Sequence, residues 1–467
     1  MGMRNSRLCG GAVAGVAAVT LLVACSTSAS EPGDAPDAAD VDPDAEVTIT
    51  VAGLPPTERA DQRELFLDRV AAFEEDHPNI TLEPSEAMWD PNTFNAMLEG
   101  GTLPDVMGIA FTNVQGLIER GQVADITDYA ADNEAISGLN ENVLQVARDD
   151  EGRLYGVPIA AYTMGLLYNR SLFTEAGLDP DSPPTTWDEV AEAAQAISEN
   201  TDAPGFGLMT TENAGGWTLS TLSYAFGGLM EDDVDGATQA VFADTGATQE
   251  ALEWVQDVRW NRSAWTEQTL LSGDDARNAF AGGSLGMWIG GADVYEDVVG
   301  NRGMPPEDVG IAPIPLTEDG LGALGGGSVN IVSPTADANQ IAAALEWIEF
   351  GDLARYTEED HAVEEAEVRT SDNWPVGAPR LPIVGPEQEA QYQEWISPYV
   401  SVPQEHFTAY MESTTEMPIV LEPAVEAQSM YAALDLVLQA VLTEEGADIP
   451  GLLQSTQEQF NAQIAAG

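Results

Sequence analysis

From residue 47 onward, apolar and polar positions divide the chain into short strands alternating with helices. Val47 to Val51 alternates apolar with polar residues, as a half-buried strand does. Leu65, Phe66, Val70 and Phe73 recur at helical spacing, and His77-Pro78 ends that helix before a strand over Ile80 to Leu82. A second helix carries Phe94, Met97 and Leu98 and stops at Gly100-Gly101. Leu103 to Met107 leads into another strand, and Val114, Leu117 and Ile118 mark the helix behind it. Leu166 to Tyr168 is a short apolar strand. Gly177 suits the left-handed end of a short helix. Thr186 and Glu189 form a capping box opening a helix that buries Val190, Ala194 and Ile197. Thr248 to Trp260 reads as a helix on Leu252, Val255 and Val258, and Leu285 to Ile289 as a strand. Gly325-Gly326-Gly327 leads into a further strand, followed by a helix on Ile341, Leu345 and Ile348. Residues 428–464 carry two last helices, with Met430, Leu434, Val441, Phe460 and Ile464 inward. The alternation predicts α/β lobes with largely parallel sheets, and no fixed-period repeat is present.

The first residues read differently. Arg4 and Arg7 precede an apolar run from Gly10 to Val23 that is short for a membrane span, the form of an export signal. It ends Leu22-Val23-Ala24-Cys25, which resembles a bacterial lipobox; the resemblance implies cleavage before Cys25 and a lipid on its sulfur. Cys9 and Cys25 are the two cysteines, so the chain beyond Cys25 has none for an internal disulfide and depends on core packing. From Ser26 to Glu46 the chain lacks bases and large apolar residues and reads as a disordered tether. The remainder exceeds one ordinary domain, so two lobes are expected.

Charge narrows the function. Sixteen basic residues stand against 79 acidic ones, a net −63, and every base is arginine. Without residues 1–24 the balance is 14 − 79 = −65. Nucleic-acid binding is excluded, since neutralising phosphates needs a basic face. With no lysine there is no Schiff-base chemistry and no Walker A loop. The charge fits a saline exterior, where salt screens self-repulsion, or a generically acidic secreted surface.

Gly152 to Ala196 carries the strongest signature: Gly-Arg-Leu-Tyr-Gly-Val-Pro, then Gly165-Leu166-Leu167-Tyr168-Asn169-Arg170, Glu175-Ala176-Gly177-Leu178 and Pro183-Pro184-Thr185-Thr186-Trp187-Asp188-Glu189. In this order the parts resemble the family 1 extracellular solute-binding proteins, the sugar-capturing subunits of ABC importers. Pro104-Asp105-Val106, Gly121 to Ile126, Phe280 with Gly283, Met287 and Gly291, and Ala312-Pro313-Ile314-Pro315 extend the likeness; the middle and far C-terminus match loosely. The resemblance implies a two-lobe periplasmic-binding-protein-like α/β fold of type II, with a ligand cleft between lobes joined by a three-strand hinge. The crossings are expected near Pro158–Ala161, Leu324–Ser328 and Val368–Trp374. This gives a signal over 1–24, a tether over 25–46, a first lobe of 47–160 plus 329–367, and a second of 161–328 plus 368–467. It also implies a monomer without cofactor, lipid-anchored outside the cytoplasmic membrane, that captures a carbohydrate and delivers it to ABC permease subunits.

No active site is legible. His77, His361 and His406 lie far apart, no Gly-x-Ser-x-Gly elbow appears, and acid pairs are too common to single out. Asp232-Asp233-x-Asp235-Gly236 hints at calcium but lacks the closing glutamate of an EF-hand loop, so a solvated acidic turn is the simpler reading. A sugar presents an apolar face and a rim of hydroxyls, which suits Trp or Tyr rings beside carboxylates, amides and hydroxyls. By resemblance, ligand-binding candidates are Tyr162 past the first crossing, Trp89 before the helix carrying Phe94, Phe111 and Thr112 after the Pro104-Asp105-Val106 strand, and Glu212 and Trp217 after the strand Gly205–Met209. Asp293, where many relatives have Trp, is a further candidate, with Ser328 and Trp374 at the other crossings. Trp187, Trp254 and Trp347 read as helix packing, and Trp288 as core or pocket. Two other readings remain: the same fold binding a polyamine or peptide, and a secreted glycoside hydrolase.

Overall fold

The structure is a computed structural model that describes residues 36–465 apart from 132 and 235. The expected signal and Cys25 lie outside the described residues. Eleven strands are described: β1 (Val47–Val51), β2 (Ile80–Pro84), β3 (Val106–Ala110), β4 (Val157–Asn169), β5 (Phe206–Gly207), β6 (Glu231–Val234), β7 (Ala237–Ala240), β8 (Met287–Gly291), β9 (Val309–Pro313), β10 (Ala323–Val332) and β11 (Ile419–Val420). The main sheet runs β2-β1-β3-β10-β4-β8-β5, with β9 also against β4 and β11 against β10. The parallel expectation holds for β1 with β2 and β3, and for β5 with β8. It fails where β10 meets β3 and β4, and where β4 meets β8 and β9, all of which are antiparallel. β4 and β10 run through both halves of the molecule, and crossing strands need not follow the βαβ rule.

Side-chain packing divides the chain in two. One core gathers Ile49, Phe73, Val106, Val157, Ile331, Ile341 and Trp347. The other half is built around Leu166, Phe206, Leu252, Met287, Leu434 and Phe460, with an adjoining cluster on Trp288, Tyr295 and Phe407. Local signals explain many elements. Thr186 accepts the Glu189 amide at 3.2 Å, and its own amide donates to the Glu189 carboxylate. The helix Trp187–Asn200 then buries Val190, Ala194 and Ile197 completely.

Three expectations are corrected. Residues 36–46, assigned to the tether, lie along the first lobe. The Tyr129 hydroxyl donates to the Pro36 carbonyl at 2.7 Å, the Asp42 amide to Asn339 at 2.8 Å, and Asn79 to the carbonyls of Pro43 and Ala45 at 3.3 Å. Main-chain polar bonds hold this stretch, so its lack of apolar residues gave no sign of it. The third crossing is later than 368–374 and is no strand: Glu359–Ser371 is a helix. Val376, Leu381, Ile383, Val384, Tyr392 and Ile396 still pack in the first core, and Val402 and Phe407 are the first buried residues past the helix to join the second half. Leu65 is 71% exposed, because the inward stripe of helix Ala60–Asp76 runs through Phe66, Val70 and Phe73, one position round. The Asp232–Gly236 segment is the β6–β7 turn, where the Gly236 amide donates to Asp233 at 2.8 Å; Asp235 is outside the described residues. Among the described residues no group of three or more His, Cys, Asp or Glu is placed to hold a metal.

Candidate functional site

The glycine run places the first candidate residue. In the β4–β10 ladder Tyr162 lies opposite Gly326. A Cβ on Gly326 would stand 2.6 Å from the Tyr162 hydroxyl oxygen, so the ring rests directly on the β10 backbone. Tyr162 is half-buried at the crossing. Its hydroxyl is pushed above the ordinary tyrosine range by burial first, then by the nearby carboxylates of Glu422 and Asp293.

Those carboxylates belong to the second lobe. Asp293 follows β8, and its Oδ1 would overlap a Cβ placed on Gly291, with the Tyr162 ring 3.5 Å from the same point. Asp293 is accessible to solvent yet surrounded by protein, and desolvation raises its carboxyl above the usual aspartate range despite its own and Val294's amides and the pull of Arg277. Glu422 accepts the Trp217 indole N–H at 3.0 Å, and burial raises it too. Tyr431, 1% exposed, places its hydroxyl beside Glu422 with no hydrogen bond of ordinary geometry. The Tyr224 hydroxyl donates to the Leu421 carbonyl at 3.2 Å and fixes the loop that carries Glu422. The second-lobe wall is therefore Tyr162, Trp217, Glu422 and Asp293. Glu212 is exposed on a left-handed turn at φ 60°. That turn starts the helix Ala214–Phe226, whose leading amides, Asn213 and Gly216, donate to buried Asp435 at 3.0 and 2.7 Å.

The first-lobe wall is built on arginine. A cavity of ≈ 290 Å³ is lined by Ile159 to Ala161 of β4, by Arg355, Arg369, Arg380, Tyr356 and Tyr392, and by Asp293 and Glu296 from the other lobe. Arg355 donates to both oxygens of Glu365 at 3.0 and 3.1 Å, and Arg380 to both of Glu389 at 3.0 and 2.9 Å. The Arg380 guanidinium also lies 4.5 Å from the Tyr392 ring centre. A second cavity, ≈ 320 Å³, shares Ile159 and is lined by Trp89, Met88, Arg69, Asn330 and Asp352. Asn330 donates to Asp352 at 2.9 Å, and burial raises the Asp352 carboxyl against the pull of Arg69 and Arg355.

The remaining candidates fall in different places. Trp89 is half-buried, tilted on Phe94 at 5.1 Å, and faces the second cavity. Thr112 is half-buried in the first turn of the helix Phe111–Glu119, directly after β3. Ser328 is half-buried on β10 between Ala110 and Ala160. Phe111 is a correction: it is 1% exposed, inside the first core, and a Cβ on Gly327 would meet its ring at 2.7 Å. It supports the crossing from below and offers no free face. Trp374 is another. Its ring lies against Gly300 of the second lobe, beside the Arg369–Glu296 ion pair, and so forms part of the contact between lobes. Trp288 is fully buried.

Sequence reasoning missed Glu422, Tyr431 and the arginines. Glu422 comes directly after the apolar run Pro418 to Leu421, and Arg380 sits inside Pro379-Arg380-Leu381-Pro382. An arginine amid apolar residues, in a chain so poor in bases, is a signal of burial.

Two α/β lobes, joined by long strands and parted by a cleft with aromatic and charged walls, define a ligand-capturing protein. The chain belongs to the bacterial extracellular solute-binding proteins, whose family profile matches residues 59–351. It is 27% identical over 254 residues to a Brucella abortus protein named for binding alone, covering 53% of this chain and 59% of that one. It is 27% identical over 157 residues to the melibiose/raffinose/stachyose-binding protein MelE of Bacillus subtilis, 33% and 34% of the two chains. The chain thus spans about three-fifths of the first relative's length and a third of the second's. Among solved structures, the cyclic alpha-maltosyl-1,6-maltose binding protein of Arthrobacter globiformis superposes with a TM-score of 0.65 at 23% identity, over 91% of this chain and all of that one. That likeness is one of fold. Family and fold are those of extracellular binding proteins, and no described helix is long and apolar enough to cross a membrane.

Proposed function

We propose that this protein captures a carbohydrate in the interlobe cleft and hands it to an ABC permease, making and breaking no bond. The observation that carries the reading is the second-lobe wall: the half-buried ring of Tyr162 lies near Asp293, and the indole of Trp217 holds Glu422. Aromatic faces suit the C–H faces of a sugar, and carboxylates accept paired hydroxyls. The first wall faces the second across the cleft, with Arg355 and Arg380 already engaged by Glu365 and Glu389. Closure of the lobes about β4 and β10 would trap the ligand and present the closed form to the permease. The sugar named for MelE supports the carbohydrate class. The roles of Trp89, Thr112, Glu212 and Ser328 as further contacts belong to this proposal.

The test is a thermal-shift screen of the folded protein against mono- and oligosaccharides, with spermidine and short peptides as the rival class. A ligand at 100 times its Kd adds about 2.7 kcal/mol. Shifts from spermidine or peptides alone would replace the carbohydrate reading.

The anchoring cysteine is part of the same proposal: Cys25 carries a lipid that holds the protein at the outer face of the cytoplasmic membrane. Cys25→Ser should abolish lipid labelling and membrane retention; unchanged fractionation would refute the anchor.

A further inference from the structure

We propose that Arg369, Trp374, Glu296 and Gly300 form a clasp that holds the two lobes together beside the cleft, and that parting this clasp opens it. The inference rests on the two-lobe binding reading and adds to it the contact that sets how readily the lobes separate.

Lobes joined only by strands move against each other unless a large apolar interface prevents it. Here β4 and β10 make the join, and the ≈ 290 Å³ cavity lined by Ile159 to Ala161 of β4 is lined also by Arg369, Pro375 and Glu296. The contact between lobes at that place is small and polar. Arg369 lies in the last turn of the helix Glu359–Ser371, whose Ala362 and Ala366 pack in the first core. Glu296 and Gly300 adjoin Tyr295 and Val298, which pack in the second half. The Arg369 guanidinium donates to the Glu296 carboxylate from one lobe to the other. Its own segment aims it: Nε and Nη2 both donate to the Pro375 carbonyl, at 3.2 and 2.9 Å.

The second observation involves no charge. The half-buried ring of Trp374 comes so close to Gly300 that a Cβ there would stand 2.9 Å from Cε3 and 3.0 Å from Cζ3. Only a residue without a side chain lets the lobes meet this way. The turn that delivers the ring is also special. Asn373 is left-handed at φ 60°, and the Trp374 amide donates to the Arg369 carbonyl at 2.8 Å. Such a backbone persists where its surroundings hold it. Past the ring the chain is fixed again, because the Val376 amide donates to the Ser401 hydroxyl at 3.0 Å and the Ser401 amide to the Val376 carbonyl at 3.1 Å. A half-exposed ion pair contributes little by itself. Two lobe arrangements of similar energy are nonetheless shifted by small differences, so an ion pair and a ring contact together can decide between them.

The experiment is small-angle X-ray scattering from the full chain with no sugar added, beside near-ultraviolet circular dichroism to confirm folding. A compact chain of 467 residues has a radius of gyration of about 23 Å. Glu296→Gln, Trp374→Ala and Arg369→Glu should each raise the parent's radius by a few per cent. Gly300→Ala, which leaves both charges in place and adds only a methyl group against the ring, should do the same. Exchanging the charges, Arg369→Glu with Glu296→Arg, should return the radius towards that of the parent. Raising NaCl from 0.1 to 1 M shortens the Debye length from about 10 to 3 Å, and should expand the parent relative to Glu296→Gln. Folded single variants with the parent's radius overturn the clasp, and so does an exchanged pair no more compact than Arg369→Glu alone. Either result leaves the carbohydrate reading intact, since the sugar screen does not depend on these residues.

Discussion

The two walls of the cleft solve the problem of buried charge in opposite ways. On the first lobe, Arg355 and Arg380 are locked by Glu365 and Glu389 and stacked near Tyr356 and Tyr392, so their charges are compensated within the fold. On the second, Glu422 is half-buried and held by an indole N–H, while Asp293, open to solvent, is held by backbone amides. The first wall is finished without a ligand. The second has no arginine of its own to meet its carboxylates, as the proposed ligand site requires. In a protein of net charge −63 this asymmetry is informative, because arginine is scarce and has been spent on the wall that needs it for folding.

If that contrast is right, the largest effect on stability comes from breaking the finished wall. Arg380→Ala leaves Glu389, whose side chain is 14% exposed, without its bidentate partner. Loss of one member of this half-buried pair, with the Arg380 side chain 28% exposed, costs about 2 kcal/mol of stability, below the figure for fully buried pairs. Urea unfolding should show it, and adding Glu389→Gln to the same chain should restore much of the loss. A normally stable Arg380→Ala protein with weakened sugar binding would instead make Arg380 a ligand contact, and the two walls would be alike. On the second wall the expected damage is to binding. Tyr162→Ala removes a ring seated on Gly326 and should lose roughly 2 to 4 kcal/mol of affinity, about 30- to 1,000-fold. Tyr162→Phe keeps the ring and should cost much less. Titration of both variants with a sugar from the screen decides it. A folded Tyr162→Ala variant that binds within about threefold of the parent would make Tyr162 a packing residue.

The same contrast explains what the sequence could reveal. The capping box at Thr186 and Glu189 and the stripe Val190, Ala194, Ile197 are local, and the structure contains them as read. The place of Tyr162 on the crossing strand was legible because motif and hinge strand coincide in one short stretch. Glu422 was not, since its partner Trp217 is 205 residues away and the intervening chain matches the family loosely. Phe111 and Trp374 misled for a related reason. An aromatic after a strand end looks the same in sequence whether it faces the cleft or, like Phe111, lies under the glycine run. The crossing expected at 368–374 failed because a helix there packs Ala362 and Ala366 into the first core, and nothing in its pattern says which lobe it serves.

The smallest predicted effect separates readiness for ligand from stability. Burial holds the Glu422 carboxyl above its ordinary value, so the folded protein favours the protonated form more than the unfolded chain does. The stability tied to this group is therefore fully present below the unfolded carboxyl's range and is lost as pH rises through the folded one. At neutral pH ionised Glu422 is a burden on the unliganded fold. Glu422→Gln should remove it and raise the neutral-pH melting temperature by about 2 °C, on the order of 1 kcal/mol for a chain of this size. The advantage should shrink on acidification, as the parent's carboxyl takes up its proton. Thr186→Ala, far from the cleft, gives the control: it loses a helix cap worth ~1 kcal/mol evenly from neutral to mildly acidic pH, where Glu189 of the capping box stays ionised because its hydrogen bonds lower its carboxyl. Melting curves of the three proteins from neutral to mildly acidic pH make the comparison. If Glu422→Gln melts lower than the parent at neutral pH, Glu422 is a structural acceptor like Glu365 and Glu389, and the second wall is as finished as the first.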